Sequence, residues 1–167
     1  LALEMSQQKL VKVGIIGGGL MGRELLALVG RWDALLEHPV RPVITAIADT
    51  SDAVREFFTN AGVTESYSDY KELLASANVD VVYIAVPHNL HEEIYIATIN
   101  AGKDFLGEKP FGIDLAAAEK IAAALAGKSN FVRVSSELPF YPGAQAAVRE
   151  VQTGNLGEIV EVRSGLL

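Results

Sequence analysis

Gly17-Gly18-Gly19-Leu20-Met21-Gly22 sets three glycines in the spacing G-x-G-x-x-G. At the start of a helix, such a run exposes unpaired N–H groups and a partial positive charge, which hold a phosphate without any basic side chain. Gly17 permits the tight turn, Gly19 lets the backbone approach the phosphates, and Gly22 allows the helix to pack closely on the preceding strand, with Leu20 and Met21 completing the turn. A tight turn that binds nothing is the alternative reading. Asp49 stands 27 positions after Gly22, at the end of the apolar run Ile44 to Ala48. A carboxylate there accepts hydrogen bonds from both hydroxyls of a ribose and repels a 2'-phosphate, which favours NAD as cofactor, with NADP as the alternative. The usual spacing is about 20, and a longer helix with a loop through Trp32, His38, Pro39 and Pro42 accounts for the excess. Asp49 could instead only cap the helix after Ser51. Arg55 lies too far along that helix to be a clear ligand for a 2'-phosphate.

Two more loops carry chemistry: Pro87-His88-Asn89-Leu90-His91 and Gly107-Glu108-Lys109-Pro110. Each follows a predicted strand, and in an open α/β sheet ligands bind beyond the carboxyl ends of the strands. Together they bring an imidazole and an ammonium to the nicotinamide end of the crevice. His91 is a candidate catalytic group, with helix capping or gap filling as the alternative. Lys109 is the other, against a surface lysine paired with Glu108. His91-Glu92-Glu93-Ile94-Tyr95 begins like the zinc-protease pattern H-E-x-x-H, but Tyr95 occupies the second histidine position, so no two-histidine metal site forms.

The elements that must position these residues alternate. Strands are predicted at Leu10–Ile16, Val43–Ala48, Val63–Tyr67, Val79–Val86, Asp104–Leu106 and Phe131–Ser135. Between them fall helices at 20–36, 51–60, 69–75, 89–100 and 114–126, another follows from Pro142 to Thr153, and one more strand begins over Glu158–Arg163. Gly62 sits where a left-handed helix end is expected. The run Val79–Val86 is apolar and β-branched enough to be covered on both faces, which makes it the central strand. Strand–helix alternation on short connections predicts a doubly wound parallel sheet, a Rossmann-type dinucleotide-binding α/β fold.

The composition fits. The 167 residues make about one domain, half of them apolar, with 14 Lys and Arg against 21 Asp and Glu, a net charge of −7. No basic cluster offers a nucleic-acid groove or binds an anionic membrane, and no apolar stretch approaches the roughly 20 residues of a membrane span. The absence of cysteine removes disulfides and thiolate chemistry. No signal pattern and no Asn-x-Ser/Thr sequon occur, so the cytoplasm is the expected compartment.

The glycine run, Ala48-Asp49, Ala85-Val86-Pro87-His88-Asn89-Leu90-His91 and Glu108-Lys109-Pro110 together resemble the N-terminal half of the Gfo/Idh/MocA oxidoreductases, relatives of glucose-fructose oxidoreductase and inositol dehydrogenase. The resemblance covers nearly the whole chain with order and spacing intact, and Glu-Lys-Pro is its most specific element. It implies an NAD(P)-dependent enzyme moving a hydride between nicotinamide and a secondary alcohol of a sugar, inositol or related polyol. Pro87, His88, Asn89 and Glu108 join the cofactor site, and Lys109 becomes the lysine that hydrogen-bonds the reacting hydroxyl and helps to lower its pKa. The Lys109-Pro110 bond is expected to be cis.

The resemblance also implies a second domain, which carries an aspartate and a general acid/base histidine and often forms the subunit interface. Residues 1–9 are then an extension whose first four residues are an expression remnant, 10–155 the dinucleotide domain, and 156–167 the first strand of the second domain. The fragment would bind NAD but turn over poorly, and would be monomeric even where its parent is a homo-oligomer. Ser135–Pro142 departs from the family, which has an Asn and Arg-rich stretch there. Glu137 is a solvated carboxylate or a substrate contact, and Phe140 and Tyr141 are expected to pack between domains. The competing functions are a regulatory module that binds NAD without chemistry, and a structural domain with an empty glycine turn.

Overall fold

The structure, a computed structural model, describes residues 9–34, 39–163 and 165. It divides into two compact units, 1–135 and 136–167. The first holds a six-stranded sheet: β1 (Lys9–Ile16), β2 (Val40–Ala48), β3 (Glu65–Tyr67), β4 (Val81–Ile84), β5 (Asp104–Gly107) and β6 (Val132–Val134). Its order is β3-β2-β1-β4-β5-β6, and every neighbouring pair is parallel. This is the doubly wound arrangement expected from the alternation, with the order reversing between β1 and β4, where such sheets open a crevice.

The helices between the strands are α1 (Leu20–Gly30), α2 (Asp52–Asn60), α3 (Tyr70–Ala75), α4 (His91–Asn100) and α5 (Leu115–Leu125). Their starts follow local chemistry. Ser51 accepts from the Val54 amide, Asp69 from Lys71 and Asp114 from Ala117, satisfying amides that a helix leaves unpaired. Gly62 ends α2 at φ 97°, the left-handed conformation read from its position. α1 ends at Gly30 and a 3-10 turn, Trp32–Ala34, follows it. The remaining part of the predicted helix, to Leu36, lies outside the described residues, as do the upstream residues 1–8.

Alternate strand residues feed two cores. Val82 and Ile84 pack on one face with Leu73, Ile94, Tyr95 and Phe105. Tyr83 packs on the other with Ile15, Ile47 and Phe58. A bulge in β2 breaks the alternation: Val13 pairs with Ile44 but Gly14 with Ala46, leaving Thr45 as an extra residue. Ile44 and Ala46 therefore belong to opposite cores although they are two apart. The Thr45 hydroxyl donates to the Asn78 carbonyl at 2.6 Å.

β4 is shorter than its apolar run: beyond Ala85, whose amide still donates to the Ile16 carbonyl at 2.8 Å, the chain turns toward α4. In the second unit, α6 (Pro142–Gln152) starts with the expected first-turn proline and buries no residue. This unit, 136–167, takes in α6. No strand forms over Glu158–Arg163; an isolated extended segment has no neighbour to complete its hydrogen bonds. Phe140 and Tyr141 are exposed. No helix among the described residues is long and apolar enough to cross a membrane.

Candidate functional site

A cavity of about 490 Å³ opens beyond the carboxyl ends of β1, β2 and β4. Gly17 and Gly19 form one wall. The Gly17 amide donates to the Ala48 carbonyl at 2.9 Å, joining the turn after β1 to the end of β2. Gly17 has φ 91°, and a Cβ there would lie 2.5 Å from the Ala85 carbonyl oxygen. A Cβ on Gly22 would collide with the Gly17 carbonyl. Both positions exclude any larger residue for reasons internal to the fold. Gly19 differs: its φ is −65°, and a Cβ there meets no atom within 4 Å. It caps α1 with no side chain, so the amides of the first turn face open space at the positive end of the helix. Leu20 and Met21 lie in this turn with exposed side chains.

Asp49 lines the same cavity. Its Oδ2 accepts from the Gly18 amide at 2.8 Å and its Oδ1 from the Ser51 amide at 2.9 Å. Ser51 itself caps α2, so Asp49 is tied to the turn rather than spent on the helix. Arg55 is held by the Asp49 carbonyl at 2.6 Å and by the Asp52 carboxylate, which occupies its guanidinium.

Several residues that line or support the cavity carry no signal in the motifs. Gly18, an unspecified position in the motif, gives Asp49 its amide, and a Cβ there would collide with Val54 on α2. Thr50 and Ser68 come from the loops after β2 and β3, Tyr70 from the start of α3, Leu90 from the 3-10 turn before α4, and Glu93 and Ile94 from α4 itself. Tyr70 donates to Glu93 Oε1 at 2.7 Å, and burial together with that carboxylate pushes its hydroxyl up to about 12. The carboxyl-end rule, applied to the short β3, would have found Ser68 and Tyr70.

Of the loop residues, Pro87 reaches the cavity wall, whereas His88 and Asn89 turn through one exposed 3-10 turn beside it. His91, expected at the reacting centre, is fully buried, with Nδ1 2.7 Å from the Pro110 carbonyl and Nε2 3.1 Å from the Val86 carbonyl. It has no surface with which to touch a substrate. Glu108, expected on the cofactor, is 7% exposed, and its Oε1 accepts from the Tyr83 hydroxyl at 2.6 Å. Burial, then Glu108, raises the Tyr83 pKa, so the phenol stays a donor at neutral pH. Lys109 is exposed, and no hydrogen bond or ion pair holds its ammonium among the described residues. The bond to Pro110 is cis, as the resemblance implied. No group of three metal-ligating side chains occurs among the described residues.

The cradle suits a dinucleotide. The open face at Gly19, the unpaired first-turn amides and the Asp49 carboxylate match a pyrophosphate and an adjoining ribose.

Comparison with known proteins agrees. Residues 11–136 match the family model described as oxidoreductase family, NAD-binding Rossmann fold. The trans-1,2-dihydrobenzene-1,2-diol dehydrogenase of Bos taurus is 29% identical over 90% of this chain and 44% of its own length. The levoglucosan dehydrogenase of Pseudarthrobacter phenanthrenivorans is 30% identical over 94% of this chain and 41% of its own. A solved levoglucosan dehydrogenase in complex with NADH superposes with a TM-score of 0.81 at 27% identity, covering 89% of this chain and 41% of that one. The chain thus spans 41 to 44% of the length of these curated relatives. A match that runs from within β1 through β6 and takes in every element around the cavity places this chain in the Gfo/Idh/MocA oxidoreductase family, as its NAD-binding Rossmann fold.

Proposed function

We propose that this chain is the cofactor-binding part of a dehydrogenase that oxidises a secondary alcohol of a sugar, inositol or related polyol. The observation that carries the reading is the joining of the glycine turn to Asp49 in one cavity, on the same sheet edge where the exposed Lys109 follows β5. NAD, when bound, supplies the two-electron acceptor for the hydride.

The turn amides and Gly19 hold the pyrophosphate, and Asp49 accepts from the ribose hydroxyls and repels a 2'-phosphate, favouring NAD over NADP. Pro87 and the exposed turn through His88 and Asn89 border the nicotinamide end. The Lys109 ammonium hydrogen-bonds the substrate hydroxyl, stabilises developing alkoxide and disfavours a second positive charge. Glu108, braced by Tyr83, orders the start of the same loop. The remaining proton transfer and the substrate walls belong to a further domain, beginning near residue 156, which also forms the subunit interface of a homo-oligomer. The cytoplasm is the compartment that a composition without cysteine suits.

Calorimetric titration with NAD and, separately, NADP tests the reading. Saturable NAD binding with weaker NADP binding is expected; folded protein giving no heat with either cofactor refutes it. NAD-dependent oxidation is then assayed on the whole protein with cyclitols and sugars, and tight NAD binding without turnover on any of them would favour a sensing module.

A further inference from the structure

His91 and Tyr95 stand four residues apart on α4, so they share one helix face. Their rings stack at 4.8 Å with 22° between the planes, and both are fully buried. This face grips one short segment. The Tyr95 hydroxyl donates to the Glu108 main-chain carbonyl at 2.6 Å, and His91 Nδ1 lies 2.7 Å from the Pro110 carbonyl. These are the carbonyls of the residues on either side of Lys109. The Glu108 amide, at the head of the segment, donates to the Ile84 carbonyl at 2.9 Å.

The surroundings are shaped for this grip. Gly107 is where Tyr95 passes: a Cβ there would collide with the Tyr95 hydroxyl. On the other side of the ring, His91 Nε2 lies 3.1 Å from the Val86 carbonyl, which sets the gripping face beside the loop that borders the cavity. Burial raises the Tyr95 pKa, so its hydroxyl remains a donor. Between the two held carbonyls, the Lys109 side chain alone is exposed.

We propose that Tyr95 and His91 are positioning residues for Lys109: one face of α4 holds the main chain on both sides of the lysine and so sets where its ammonium meets the reacting hydroxyl. The proposal rests on the dehydrogenase reading for what the lysine does, but the grip itself exists without cofactor or substrate. The pattern H-x-x-x-Y at helical spacing, unsuited to a metal, has this work instead. An ammonium on a long flexible stem reaches a fixed point only when its backbone is fixed.

The test uses Tyr95→Phe, which removes one oxygen and keeps the ring, and His91→Gln, which keeps a donor of different reach. Lysines are reductively methylated with carbon-13, and the Lys109 resonance is identified by its loss in Lys109→Arg. Both variants are expected to displace the Lys109 resonance and leave those of Lys71, Lys120 and Lys128 in place. An unmoved Lys109 resonance in both overturns the proposal. So does collapse of the amide spectrum in both, because the pair would then hold the core rather than the lysine. In whole protein that oxidises a polyol, Tyr95→Phe should lower kcat about tenfold while KM for NAD changes by no more than about twofold; equal losses in the two would refute positioning. If the wild type oxidises no polyol, the dehydrogenase reading fails, and the methyl-lysine spectrum still decides the grip.

Discussion

The Asp49 carboxylate accepts a hydrogen bond from the Gly18 amide at 2.8 Å, so the group that would read the ribose also braces the turn that would hold the phosphates. A second bond, from the Ser51 amide at 2.9 Å, fixes the other carboxylate oxygen.

Asp49→Ala is therefore expected to act twice. It should narrow any preference for NAD over NADP, and it should lower stability by about 1 to 3 kcal/mol, the usual range for losing hydrogen bonds to a charged acceptor. Calorimetry with both cofactors and denaturant melts measure the two effects. A loss of stability with an unaltered cofactor ratio would leave Asp49 only its bracing role.

Gly19 and Gly22 should separate binding from folding. Gly19→Val places its side chain where no protein atom lies within 4 Å, so melting should change little while NAD affinity is lost. Gly22→Ala drives a Cβ into the Gly17 carbonyl and should destabilise by about 1 to 3 kcal/mol. Paired melts and titrations check the contrast; unchanged affinity in Gly19→Val would refute the phosphate path.

Lys109→Ala removes an exposed ammonium that holds no other part of the described structure. NAD affinity should stay within about threefold, while polyol oxidation by the whole protein falls by at least about a hundredfold. Steady-state kinetics beside a cofactor titration decide this, and wild-type turnover would remove the lysine from the mechanism.

Acid should loosen the corner between β3 and α3. The Ser76 hydroxyl, at 2.7 Å, and then Tyr67, at 3.0 Å, hold the Glu65 carboxyl below its ordinary value against the pull of burial. A carboxyl whose pKa is lowered on folding contributes stability that is full above its unfolded value and lost as the pH falls through the folded one. Glu65→Gln should thus flatten the stability profile in the acid range below the ordinary glutamate value of 4.5. Melting both proteins across that window measures it; parallel profiles would show that Glu65 does not carry the acid sensitivity.

Much was legible because it depends on residues close in sequence. The glycine turn, the helix starts near Ser51, Asp69 and Asp114, the left-handed Gly62 and the alternation that forces a parallel sheet all follow from local geometry and pattern. The placement of Asp49 at the end of β2 follows from the same pattern, because a strand must end before the helix that Ser51 begins.

Packing between distant segments decided the rest. Gly18 was unmarked in the motif because its need for a bare backbone comes from Val54 and Phe58 on α2, far along the chain. His91 is a candidate catalytic group by its place in the loop after the fourth strand. Only the arrival of the Pro110 and Val86 carbonyls at its two nitrogens shows it to be buried and braced. Glu108 likewise meets Tyr83 only once β4 and β5 lie side by side. The predicted strand at Glu158–Arg163 lacks such a neighbour, and β-branched residues make a strand only where another strand completes their hydrogen bonds. Residue type and spacing determined what could bind at the sheet's edge. The three-dimensional pairing of segments determined which side chains face the cavity and which hold it in shape, because burial and hydrogen-bond partners are properties of the assembled chain.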